Sequence, residues 1–242
     1  MTPPIDAPVV ASATLDPSAP LRLAIFDVDG TLLDSQDVIC GAMRTAFQAY
    51  DLPAPENAQT KRIVGLELYE AVTRLAPHLP EDLIRSVGDA YKNAFLENRK
   101  AGGGEAEAPM YAGALAALER LHGTEALMGV ATGKARRGLD HTLDVHGLRR
   151  FFVTTQTCTE NPGKPNPSMI ENCLRETGAE VRDAVMIGDT VFDMEMARNA
   201  GARALGVAWG YHEVDELRSA GADLIIGAFD ELHDALEELW RR

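Results

Sequence analysis

Short, nearly continuous apolar runs recur along the chain at residues 21–28 (LRLAIFDV), 126–132 (ALMGVAT), 151–154 (FFVT), 184–188 (AVMIG), 204–208 (ALGVA) and 223–226 (DLII). Runs of this length and character predict strands buried on both faces of a parallel sheet. Most are separated by helical patterns, at 113–121, 135–146, 167–177, 191–200 and 214–220, and a last helix is predicted over 230–240. Strands alternating with helices call for an α/β fold, a doubly wound and mostly parallel sheet with crossover connections. In such sheets chemistry sits at the carboxyl ends of the strands.

One stretch departs from the alternation. Residues 35–104 hold no convincing strand, only amphipathic helical text such as DVICGAMRTAFQAY and EDLIRSVGDAYKNAFLENRK. The stretch returns through AGGGEAEAP, too rich in glycine for a helix interior. This predicts a flexible tail over 1–20, an α/β core made of 21–35 and 106–242, and a small all-helical domain over 36–105 hinged over the strand ends.

Composition narrows the partners. Hydrophobic residues at 45% suffice for a buried core, while the formal charge of −14 repels nucleic-acid backbones and anionic membranes. An anionic substrate would therefore need local positive charge: a metal ion, a lysine or backbone N–H groups. The N-terminus lacks a basic, apolar leader pattern, and no run reaches the roughly 18 apolar residues of a spanning helix. The expectation is a cytoplasmic protein without membrane or nucleic-acid partners. Cys40, Cys158 and Cys173 are odd in number and widely spaced, so they read as apolar filler rather than a disulfide or zinc framework.

Four strand ends carry candidate chemistry. Asp27 and Asp29 lie two residues apart where the first strand runs out, and Gly30 permits a sharp turn after them. Alone, the pair also reads as a loop cap. Thr132 and Gly133 follow the second core strand and open a helix, the place for an anion cradle or simply an N-cap. Lys164 sits in GKPNP, where Pro165 and Pro167 stiffen the loop and limit where its ammonium points. Asp189 and Asp193, in IGDTVFD, are either first-turn helix acids or the remaining carboxylates of an oxygen-only site. Magnesium suits such a site, since it prefers oxygen ligands and substrate phosphate.

At DVDGTLLDS and IGDTVFDMEMARNAG, supported by ATGK and GKPNP, the chain resembles the haloacid dehalogenase superfamily. The likeness is to its phosphoglycolate-phosphatase-like members, which carry a helical cap after the first strand of a Rossmann-like core. It implies a hydrolase, a phosphatase of small phosphorylated metabolites (phosphoglycolate or a sugar phosphate), working as a monomer or homodimer. It implies that Asp27 is the nucleophile and that Asp29 protonates the leaving oxygen and then activates water. Thr132, Gly133 and Lys164 would hold the phosphoryl oxygens. Mg2+ would be bound by Asp27, the Asp29 carbonyl and Asp189, with Asp193 as ligand or neighbour. Burial and nearby carboxylates are expected to keep Asp29 protonated for its first task. Gly65 and Leu66, in a break of the helical stretch, would reach the substrate, and Lys61 or Arg62 would either meet a substrate carboxylate or remain a solvated helix end. Arg136 and Arg137 read as surface residues.

Other readings use the same residues. A phosphomutase of the β-phosphoglucomutase type shares the Asp pair but depends on a sugar bisphosphate. A phosphoacceptor signalling domain also combines Asp, Thr, Lys and a metal, but lacks the helical insertion. A catalytically inactive binding protein would not need Asp27, Asp29, Lys164 and Asp189 together.

Overall fold

The computed structural model describes residues 20–102 and 108–242, with side chains described outside 98–107. All but residue 20 of the expected tail over 1–20, and most of the glycine-rich return segment, lie outside the described residues.

Six parallel strands form one sheet in the order β3-β2-β1-β4-β5-β6: β1 (Leu23–Phe26), β2 (Leu127–Thr132), β3 (Thr154–Thr157), β4 (Ala184–Gly188), β5 (Arg203–Val207) and β6 (Leu224–Ile226). The strand order reverses beside β1. Asp27 and Asp189 therefore leave adjacent strands at the switch point, where side chains from both halves meet a common crevice.

Alternation along β1 divides the interior. Ala24 and Phe26 pack against α5 (Ala114–His122), α6 (Arg136–Val145) and α10 (Leu232–Arg241). Leu23 and Ile25 pack on the opposite face against α7 (Ser168–Thr177), α8 (Val191–Ala200) and α9 (Val214–Ala220). The doubly wound α/β expectation is met.

The third strand differs from its prediction. The apolar run Phe151–Phe152 does not enter the sheet; Phe151 closes a 3₁₀ turn (Arg149–Phe151) and packs edge-on against His122. The strand is TTQT instead. β3 is an edge strand, so its polar side chains find partners: Thr154 and Gln156 both donate to Glu176, at 2.5 and 3.0 Å. Edge position removes the requirement for a continuous apolar run.

Between β1 and α5 the described chain is helical: α1 (Gln36–Gln48), α2 (Asn57–Lys61), α3 (Leu68–Leu75) and α4 (Glu81–Gly102). These helices bury a cluster of their own, including Met43, Phe47, Ile63, Leu66, Val72 and Val87, to which α8 contributes Phe192. The outgoing and returning segments are tied together, since Asp34 N–H donates to Pro109 O at 2.9 Å and Tyr111 N–H to Leu32 O at 3.0 Å. Among the described residues no helix is long and apolar enough to cross a membrane.

Candidate active site

At the end of β1 the chain turns back on itself. Gly30 N–H donates to Leu33 O, and Gly30 adopts φ +86°. A Cβ there would stand 2.2 Å from Asp189 Oδ2, so glycine is required both by the turn and by the acid beside it. Asp27 is 1% exposed and Asp189 fully buried. Thr31 Oγ1 donates to Asp189 Oδ1 at 2.8 Å, and Tyr211 N–H to Oδ2 at 2.9 Å.

Asp193 stands at the third position of α8. Thr190 N–H and Oγ1 both donate to its Oδ2, at 3.0 and 2.7 Å, forming a capping box. Its Oδ1 meets Lys164 Nζ at 2.5 Å, and the same ammonium lies 2.8 Å from Asp27 Oδ2. The loop carrying Lys164 is anchored where Asn199 Nδ2 donates to Pro165 O. Lys164 thus lies between two acids, its side chain fully buried.

The electrostatics are unbalanced. Asp27, Asp189 and Asp193 present oxygens within 4.8 Å of one another around one ammonium, leaving two negative charges uncompensated when all are ionised. Burial, opposed by Lys164 and reinforced by Asp193 and Asp29, pushes Asp27 from 3.8 up to about 6. Burial, then Asp193 and Asp27, raises Asp189 well above its ordinary value. Burial alone would lower Lys164, but Asp193 and Asp27 outweigh it and raise it above the ordinary lysine range. Asp27 Oδ2 has the Lys164 ammonium at 2.8 Å, and among the described residues Asp27 Oδ1 has no partner. An unpartnered buried carboxylate oxygen and excess negative charge fit a hard divalent cation.

Asp29 lies apart from this cluster. Its carboxylate meets Lys134 Nζ at 2.8 Å and accepts from Ser35 Oγ at 2.5 Å. The expected crowding by carboxylates is not what surrounds it. Lys134 and Ser35 were not among the residues expected at the site, although both stand inside quoted motifs, ATGK and DVDGTLLDS. The signal was present; the pairing was not, because 105 residues separate Asp29 from Lys134.

Thr132 ends β2 and Gly133 follows it, both lining the cavity with Asp27 and Asp29, and Thr132 Oγ1 accepts from Lys134 N–H. A cavity of about 490 Å³ opens over Asp27, Asp29, Thr132 and Gly133 and is roofed by the helical segment. Gly65 (φ +96°) and Leu66 line it, and a Cβ on Gly133 would lie 2.5 Å from Gly65 O. Lys61 and Arg62 do not line it; Arg62 instead pairs with Glu216 of α9. Arg136, read as surface, binds Glu160 and Thr155, whereas Arg137 stands exposed at the mouth.

A family model described as haloacid dehalogenase-like hydrolase matches residues 24–207. The "Probable phosphatase IndB" of Dickeya dadantii is 30% identical over 220 residues, covering 90% of this chain and 94% of the relative. The phosphoglycolate phosphatase of Vibrio parahaemolyticus is 26% identical over 221 residues, covering 88% and 94%. A crystal structure of a hydrolase from Pseudomonas syringae superposes with a TM-score of 0.78 at 23% identity, covering 90% of this chain and 98% of that one, a likeness of fold.

Proposed function

The chain belongs to the haloacid dehalogenase-like hydrolases, and from that premise we propose that it is a magnesium-dependent phosphatase of a small phosphate monoester, working through a phosphoaspartate on Asp27. The observation that carries the reading is the set of three buried carboxylates with one buried lysine between Asp27 and Asp193, and Asp27 Oδ1 without a partner at the floor of a cavity. Relatives named as phosphatases support the reaction class.

In this reading Asp27 attacks phosphorus while the bond to the ester oxygen breaks. Asp29, on the cavity side, supplies a proton to the departing oxygen and later takes one from the water that hydrolyses the acyl phosphate. Thr132 and the N–H groups after β2 receive phosphoryl oxygens, and Lys164 holds Asp27 in place and ionised. Asp27 and Asp189 would hold Mg2+, with Asp193 fixing Lys164 beside them. The ion, when bound, offsets the charge between carboxylate and phosphate dianion. The helical segment over 36–105 acts as a cap whose Gly65–Leu66 loop meets the leaving group.

The test is phosphate release from a panel of monoesters with and without Mg2+. Release that needs Mg2+ and no sugar bisphosphate supports a phosphatase. Turnover only with such an activator would make it a mutase, and none with any ester would refute the reading.

A further inference from the structure

The walls of the cavity differ from its floor. The floor is acidic and polar, but the roof above it is built from Ile39, Met43, Ile63, Leu66, Tyr91 and Phe95, with Leu96 beside them. A volume of about 490 Å³ is within the roughly 300–1,000 Å³ of pockets that enclose ligands of drug-like size, and exceeds what a phosphate with two carbons requires.

Apart from the Tyr91 hydroxyl and Arg137, the polar side chains placed to recognise a leaving group are already engaged. Glu67 accepts from the N–H groups of Tyr69 and Glu70 at the start of α3. Lys92 donates to Tyr69 Oη and Asp89 Oδ1. Lys134 is paired with Asp29 and lies over the Phe95 ring, 5.4 Å from its centroid. The Thr159 hydroxyl accepts from Arg136 N–H. Arg137 is exposed at the mouth, where solvent screens its charge. A carboxylate or a run of hydroxyls buried against the roof would lose water and gain at most the Tyr91 hydroxyl as a partner.

We infer that the ester taken by this site carries a bulky, apolar leaving group, an aryl-bearing or branched alkyl alcohol, rather than a second anionic group or a sugar. The inference rests on the phosphatase reading above and names the substrate class of that site. The roof excludes water from such a group, and Phe95 and Tyr91, whose ring centroids stand 6.0 Å apart, offer it aromatic faces.

The experiment compares kcat/KM, with Mg2+ present, for 3-phenylpropyl phosphate, 2-phosphoglycolate and glucose 6-phosphate, all of which expel an alkoxide. Acetyl phosphate, too small to reach the roof, reports the chemistry alone. The phenylpropyl ester is expected to exceed the other two by on the order of tenfold or more. Leu96→Arg, which puts a cation into the roof, is expected to shift the ratio of phenylpropyl to phosphoglycolate turnover by a similar factor toward phosphoglycolate. Ratios within one variant are independent of how much of it folds. Equal or better turnover of phosphoglycolate or glucose 6-phosphate overturns the inference, as does a preference unmoved by Leu96→Arg. Turnover of acetyl phosphate alone also overturns it and leaves the phosphatase reading standing. Inertness toward the three esters and acetyl phosphate alike overturns both.

Discussion

Asp27 and Asp29 are two residues apart, yet they occupy different electrostatic surroundings. Asp27 shares a buried ammonium with Asp193, while Asp29 pairs with Lys134 and Ser35 on the cavity side. Separate environments give two carboxylates separate tasks. Asp27→Asn is expected to lower turnover by more than about 10³ and to abolish the phosphoenzyme adduct, read by phosphate release and intact-protein mass. Lys164→Met should cost about 3 kcal/mol of metal-free stability in urea unfolding, because it leaves buried acids without their cation. At Gly210 a Cβ would stand 2.1 Å from the Asp189 Cβ. Gly210→Ala should therefore displace Asp189 and weaken Mg2+ binding by about tenfold, measured calorimetrically, a loss of about 1.4 kcal/mol.

Among the elements, the contact between α9 and the end of α2 connects the helical segment to the sheet domain. Arg62 is bidentate on Glu216, at 2.5 and 2.7 Å, and both side chains are more than a third exposed. Exposed pairs of this kind contribute at most about 1 kcal/mol, so Arg62→Ala should barely move the urea midpoint. It frees the loop that roofs the cavity, however, and KM should rise several-fold with kcat little changed. The hydrogen bonds from Arg62 hold Glu216 down at about 2, from 4.5. A depressed carboxylate contributes stability above its unfolded value and loses it as pH falls through the folded one. The pair therefore persists at neutral pH and fades from about pH 4.5 toward 2.

For the molecule as a whole, the acidic cluster sets a pH dependence of the opposite sign. Asp27 is raised from 3.8 to about 6, so between those values the native state binds more protons than the unfolded chain. Stability of the metal-free protein should then decline as pH rises through that window. Mg2+ removes the imbalance only where the acids are ionised. Thermal melts with and without Mg2+ should diverge more at pH 7.5 than at pH 5. Equal shifts at both pH values would count against metal binding by these acids.

How much of this was legible in the chain follows from the range of the interactions involved. The sequence by itself determined the alternation of strands and helices and the positions of Asp27, Asp29, Thr132, Lys164, Asp189 and Asp193. Each depends on a local rule, such as an apolar run, a turn glycine or a polar residue at a strand end. The same rules misplaced the third strand, because an edge position lets polar TTQT pair where FFVT was expected. Tertiary structure alone decided that Lys134 meets Asp29, that Arg62 reaches α9 rather than the cavity, and that the roof is apolar. Those outcomes depend on which distant segments the sheet order brings together, and hydrophobic periodicity constrains a side chain's face without specifying its partner.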